Sequence, residues 1–156
     1  MSVTRDDIIT WAKTWALEYS HDWRIITAIA ALESGWGSSA LAAAGNNLCG
    51  MKHVASMIGR EKITIRSGEY GDDAKYSTPY SDFVKYAKPE DSIEHLARTL
   101  AKSSFYEDYR LARDANMPLP AQICCIALWA DGKYKYAHNP TYIMDILRIV
   151  ARLGAE

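Results

Sequence analysis

The chain has 156 residues, 49% hydrophobic and 24% charged, with 18 basic and 19 acidic side chains and a formal net charge of −1. This length and apolar content suit a single domain, residues 1–156, with a sizeable core, and the balanced charge excludes a strong footprint for nucleic acid or an anionic membrane. Tyr (10) and Trp (5) far outnumber Phe (2), which fits either a surface that stacks on flat polar ligands such as sugar rings or a core of aromatics with one polar handle.

Thr4 and Asp7 form an N-cap pair, and Ile8, Ala12, Trp15 and Tyr19 share a helical face to about Ser20. This opening segment lacks the basic start, apolar stretch and small-residue cleavage site of a secretory signal, and no run reaches the length of a membrane span. The expectation is a soluble product not routed by an ordinary signal peptide. Asp22 caps a second helix to about Glu33. Ile25, Ile26, Ile29, Leu32 and intervening alanines make it apolar almost all round, the pattern of a helix buried mid-domain. Gly35 and Gly37 stop it, and a short helix follows over 38–44, ended by Gly45.

Lys62 to Arg66 alternates polar and β-branched residues and predicts a strand. Gly71-Asp72-Asp73 reads as a turn, with a returning strand over 75–77 and Pro79 breaking the pairing. Helices resume after Pro89 (Ile93, Leu96, Ala97, Leu100), near 105–115, and after Pro118 (Ile123, Ile126 and Leu128 buried, Gly132 ending it). Asn139 and Pro140 supply the N-cap and first turn of the last helix, with Ile143, Ile146, Leu147 and Val150 inward. The reading is a mostly helical α+β fold with one small hairpin after the central helix.

The cysteines (Cys49, Cys124, Cys125) are odd in number and without metal spacing, which favours small buried hydrophobes, a Cys49 bridge staying open for an oxidising compartment. The histidines (His21, His53, His95, His138) are dispersed and form no ligand pattern, so neither a metal nor another cofactor is expected.

Glu33 closes the most apolar segment of the chain. One reading is a solvated helix-end charge. The other is a functional acid: the C-terminal end of a helix disfavours negative charge, and apolar neighbours withhold hydration, so both raise the pKa. A carboxylic acid kept protonated near neutral pH is what glycoside hydrolysis needs to protonate a leaving oxygen.

The run Ala31-Leu32-Glu33-Ser34-Gly35-Trp36-Gly37, followed by Asn46-Asn47-Leu48-Cys49-Gly50-Met51-Lys52, resembles the signature of glycoside hydrolase family 73. Cys49 and Met51 depart from it with apolar replacements. Ile65 to Tyr70 resembles the family's hairpin segment, with Ser67 for the usual Thr. Ser81 to Tyr86 with Asp91-Ser92 resembles a further block, and Tyr136 to Tyr142 resembles Y-A-T-D-P-x-Y with His138 and Asn139 replacing Thr and Asp.

The resemblance implies a lysozyme-like fold with a small β-hairpin lobe beside the catalytic cleft, and a peptidoglycan β-N-acetylglucosaminidase acting on glycan strands. It implies Glu33 as general acid, Glu69 as a second carboxylate on the hairpin, and Tyr136 at the catalytic centre. Trp36, Tyr70, Tyr86 and Tyr142 are candidates to stack on or line sugars, and Asn46 and Asn47 to hold the loop near the acetamido group. Each has a plainer alternative: a solvated hairpin charge for Glu69, packing for the aromatics, turn geometry for the asparagines.

Rival readings are a lytic transglycosylase or muramidase on the same fold, or a glycan-binding module that has lost catalysis. The target lies in the periplasm or cell wall. Without a leader, delivery is expected through phage lysis or a secretion machine such as type VI, the latter implying an immunity protein partner.

Overall fold

The computed structural model describes residues 2–70, 75–137 and 139–154, with Glu69 and Tyr70 described by their backbone. Helix α1 (Arg5–Tyr19) begins at a capping box: the Thr4 hydroxyl accepts from the Asp7 amide at 3.2 Å, and the Asp7 carboxylate accepts from the Thr4 amide at 2.9 Å. Its inner stripe is Ile8, Ala12 and Ala16. Helix α2 (Trp23–Ser34) starts where the Asp22 carboxylate accepts from the Arg24 amide. Ile25, Ile26, Ala28, Ile29 and Ala30 are all buried, so α2 is the central helix that the sequence predicts. It packs on α1 and on two later helices, α4 (Pro89–Lys102) and α7 (Tyr142–Leu153). Each fully buried isoleucine contributes about 1.5–3 kcal/mol by leaving water.

Helix α3 (Ala40–Gly45) is capped by Ser39 and ends at Asn46 in the left-handed region. Helix α4 turns Ile93, Leu96, Ala97 and Leu100 inward. After a 3-10 turn (Ser104–Tyr106), α5 (Glu107–Asp114) buries Tyr109, whose hydroxyl donates to His21 Nδ1 at 2.9 Å while His21 Nε2 donates to the Ala97 carbonyl at 2.8 Å. Helix α6 (Leu119–Ala127) follows. It ends before Leu128, which turns extended and pairs with Tyr134 across a tight turn, so Gly132 serves that turn and not the helix end. The Asn139 carboxamide accepts from Thr141 N at 2.9 Å, one turn ahead of α7. Asn139 and Pro140 therefore form a turn before the helix, and Thr141 is its N-cap.

The strands differ from the expected pairing. Strand β1 (Lys62–Arg66) pairs antiparallel with β4 (Tyr80–Val84), from Lys62 opposite Val84 to Arg66 opposite Tyr80. The segment expected to return at 75–77 is β3 (Tyr76–Ser77), which pairs with β2 (Glu69–Tyr70). Pro79 does not end the ladder. It has no donor to give, but its carbonyl accepts from Ser67 N at 3.0 Å at the joint between the two pairings. The expected Gly71-Asp72-Asp73 turn lies outside the described residues.

The loop after α3 joins the helical body to this hairpin. Asn47, 1% exposed, donates to the carbonyls of Met51 (2.9 Å) and Val84 (2.8 Å) and accepts from Met51 N (3.1 Å). Val84 N in turn donates to the Met51 carbonyl. All three cysteines are free thiols, Cys49 buried in this loop. Among the described residues no helix is long and apolar enough to cross a membrane.

Replacing Asn47 with Ala removes its bonds to three backbone groups; the Met51 carbonyl keeps the bond from Val84 N, while Met51 N and the Val84 carbonyl lose this partner, and each orphan costs on the order of 1–3 kcal/mol before relaxation. Urea unfolding of Asn47→Ala is expected to show a loss of about 3 kcal/mol. A loss below about 1 kcal/mol would show that the joint is held by other contacts.

Candidate active site

A cleft of about 710 Å³ opens between the end of α2 and the hairpin. Leu32 and Glu33 of α2, the start of α3, and Gly50 and Lys52 of the following loop form one side. Ile65, Arg66, Ser67 and Gly68 of the hairpin, with Tyr76 and Phe83, form the other, and Tyr136, Ala137, Asn139 and Tyr142 close the floor.

Local geometry fixes Glu33. The Ser34 hydroxyl donates to the Ala30 carbonyl at 2.6 Å and accepts from Gly37 N at 2.8 Å, which locks the turn after α2. Gly35, in the left-handed region, ends the helix there. Glu33 itself is half-buried, with the carboxyl facing the cleft and protein packed around it. It accepts no hydrogen bond from any described residue, and burial alone pushes its pKa up to about 7. Gly50 is the close neighbour. A Cβ at that position would stand 2.7 Å from Glu33 Oε2, and the backbone there has φ +64°. Only glycine fits both the left-handed turn and the carboxyl.

Tyr136 is held from two sides. Its hydroxyl donates to the Cys49 carbonyl at 2.8 Å, and its ring stacks on Tyr142 with centroids 5.8 Å apart. The preceding Lys135 anchors the loop: its ammonium is fully buried, bonded to Asp108 (2.7 Å) and the Cys125 carbonyl (2.9 Å), and lies 4.6 Å from the Trp129 ring centre. Burial drives the Tyr136 phenol well above its usual pKa.

The cleft thus brings together Glu33, Tyr136 and Tyr142 from the sequence-derived candidates. Trp36, Asn46, Asn47 and Tyr86 do not line it. The Trp36 ring sits under the Arg5 guanidinium at 5.1 Å and packs against the core. The Asn46 amide donates to the carbonyls of Tyr86 and Ala87, and the Asn47 amide is consumed by the loop joint, so both brace backbone in place of the expected acetamido contact. Tyr86 is buried with its hydroxyl 2.6 Å from His95 Nδ1, where burial and then the Arg60 charge lower the His95 pKa to about 4. The side chains of Glu69 and Tyr70 lie outside the described residues, as does His138; Ser67 and Gly68, immediately before Glu69, line the cleft.

Sequence reasoning missed Gly50 as a contact of the acid, and Lys52, Arg66 and Tyr76 as wall residues. Tyr76, 62% exposed, lines the cleft from the hairpin. Arg66 is held by the Thr78 carbonyl (3.1 Å) and hydroxyl (3.0 Å). Among the described residues no group of three or more His, Cys, Asp or Glu could hold a metal ion.

A cleft over one carboxylic acid whose pKa is raised by burial, walled by tyrosines and a hairpin, suits the proton-donating step of glycoside hydrolysis. The model of the glucosaminidase family, described as mannosyl-glycoprotein endo-beta-N-acetylglucosaminidase, matches residues 9–155, and the chain belongs to that family. No curated protein matches the sequence significantly. Among solved structures, the chain is similar to the catalytic domain of the autolysin Auto from Listeria monocytogenes, with 25% identity and a TM-score of 0.72 over 96% of this chain and 82% of that one. It shares the fold of a peptidoglycan hydrolase mutant from Sphingomonas sp. A1 (21% identity, TM-score 0.74, 97% of both chains). It also shares that of the FlgJ glycoside hydrolase domain from Salmonella typhimurium (19%, 0.63, 97% and 89%). The fold is therefore the expected lysozyme-like one, mostly helical with a small hairpin lobe.

Gly50→Ala forces the new methyl against Glu33 and strains a left-handed residue. A drop in glycosidase activity of at least about tenfold is expected from misplacing the acid, with a folded circular dichroism spectrum. Unchanged activity would show that the carboxyl tolerates displacement.

Proposed function

We propose that this chain is a peptidoglycan hydrolase that cleaves the β-1,4 bond after N-acetylglucosamine, leaving N-acetylglucosamine at the new reducing end. The observation that carries this reading is the state of Glu33: at the cleft, unbonded to described residues, and with a pKa near 7 through burial. Such a group holds its proton at neutral pH and gives it to the glycosidic oxygen as the bond to the anomeric carbon breaks. The family match and the likeness to the Listeria autolysin support the substrate class.

Glu69 is the proposed second carboxylate. Its backbone lies in β2, directly after two residues that line the cleft and opposite Ser77. There it activates a water for inversion, or orients the 2-acetamido group of the sugar as an internal nucleophile. Tyr136 and Tyr142 line the floor beneath the reacting sugar. Tyr70 stays a proposed sugar-facing residue on the same strand as Glu69. The whole chain serves as one catalytic unit in this reading.

A wall hydrolase that reaches the periplasm of a bacterium is toxic to it. We propose that this protein acts there as an antibacterial effector or lysin, with an immunity protein in the producing cell as its partner in the effector case. Expression with a periplasm-directing leader should lyse the host in a Glu33-dependent way, and co-expression of the neighbouring genes should restore growth if one encodes the inhibitor. Growth unaffected by the periplasmic protein would remove the toxic role.

Digestion of purified sacculi gives the direct test. The native protein should release chains ending in reducing N-acetylglucosamine, and Glu33→Gln should release none. The required form of Glu33 is protonated, present below its pKa and lost above it, so activity should fall as pH rises through about 7. Full activity of Glu33→Gln would remove the assignment. Anhydro-muramic or reducing muramic ends would replace it with the transglycosylase or the muramidase. An unchanged rate for Glu69→Gln would remove only the second role.

A further inference from the structure

Four buried side-chain polar atoms among the described residues lack a hydrogen-bond partner: Trp15 Nε1, Thr27 Oγ1, Gln122 Oε1 and the Tyr142 hydroxyl. Of these residues only Tyr142 lines the cleft. Buried polar groups are nearly always paired, so an orphan at a catalytic floor calls for a role. The two stacked phenols there are used differently. Tyr136 spends its hydroxyl on the Cys49 carbonyl, which fixes the loop. Tyr142, 3% exposed at the first turn of α7, spends its hydroxyl on nothing. The acid Glu33 lines the same cleft and likewise accepts no hydrogen bond from a described residue. An unused donor and an unused acceptor thus line one cleft, close enough for the Glu33 charge to act on the Tyr142 phenol.

We infer that Tyr142 is a positioning residue for Glu33: as the acid gives its proton to the glycosidic oxygen, the carboxylate left behind accepts a hydrogen bond from the Tyr142 hydroxyl. This rests on the reading of Glu33 as the general acid. The transferred proton is the one on Glu33, and the phenol keeps its own. A carboxylate is a much stronger acceptor than a neutral acid, because charge-assisted bonds are about twice as strong as neutral ones. The bond therefore forms as charge develops, which lowers the barrier and not merely the energy of the resting state.

Other titratable groups around the pair do not confuse the assignment. Burial, and then the Glu33 charge, hold the Tyr142 phenol well above its usual pKa, so it remains a donor. Cys49 from the loop after α3 and Tyr136 from the loop before α7 are raised by burial, and Tyr106 from the 3-10 turn is pushed up to about 12, so all three stay neutral where Glu33 titrates. Lys52 and Arg66 stand on the cleft walls.

The test is Tyr142→Phe, assayed on purified peptidoglycan across pH, with the Glu33 carboxyl carbon followed by NMR in both proteins. Phe keeps the ring stacked on Tyr136 and deletes only the orphan hydroxyl, so the melting temperature should not fall. The expected result is a fall in kcat of about tenfold or more, as for a lost hydrogen bond to a charged group. The alkaline limb and the Glu33 titration should both move up by about one pH unit, the equivalent of that tenfold. The NMR titration needs no turnover, so it reads this inference even if the digestion experiment removes Glu33 as the acid. Titrations and limbs that superimpose would overturn it. So would a loss confined to KM with the limb in place, which would give the hydroxyl to the substrate. A Phe variant that fails to fold would also overturn it, since the hydroxyl would then already serve the resting structure.

Discussion

The site depends on withholding water from one carboxyl group. Glu33 stands one residue from the end of the most buried helix, and its pKa is raised by burial with no countering hydrogen bond from described residues. A carboxylate at that place would need a donor or a cation, and none of the described residues supplies one at bonding distance in the resting structure. The neutral acid is the form the site is built for. Every nearby feature serves that end. Gly50 lets backbone approach where any side chain would strike Oε2, and Ser34 locks the turn that follows the acid.

The loop packed against Glu33 is held by a chain of backbone-directed bonds. Asn47 ties its own loop to β4, Val84 returns a bond to Met51, and Tyr136 fixes the Cys49 carbonyl beside Gly50. Polar side chains read as ligand contacts from sequence are thus spent on the scaffold. The division is physical: a loop that must bring backbone against a desolvated acid cannot leave its own amides and carbonyls unpaired. Lys135 does the same for the opposite loop, with a fully buried ammonium bonded to Asp108 and to a carbonyl.

Most helices were legible because their caps and stripes agree: Thr4 with Asp7, Asp22 before Ile25 and Ile26, Pro89 ahead of Ile93 and Leu96. The place of Glu33 at the cleft was legible because a charge closing an apolar run contradicts the pattern around it. The hairpin was misread at its partner strand. Tyr80–Val84 follows a proline, and only tertiary pairing with Lys62–Arg66 reveals it as a strand. Asn46, Asn47 and Tyr86 fall outside the cleft for a related reason: residue type does not say whether an amide or phenol faces a ligand or a distant carbonyl, and besides the local bonds of Asn47 to Met51 the asparagines reach carbonyls 37, 40 or 41 residues away. The end of α6 was misplaced because Leu128 is apolar enough to continue the helix but is drawn extended by its bridge to Tyr134.

The two sides of the cleft also differ in how firmly they are built. Glu33 rides on α2, packed against α1, α4 and α7. The hairpin is secured near its base, where β1 and β4 pair over five residues and Phe83 and Val84 are buried. Beyond Ser67 the described residues continue it through two pairs, Glu69 with Ser77 and Tyr70 with Tyr76. Glu33 is therefore held by the core, whereas Glu69, the proposed partner carboxylate, stands on the distal pairs of the hairpin. That asymmetry suits a reaction in which the proton donor must stay desolvated before substrate arrives, while the group on the other face is needed only once the sugar is in place.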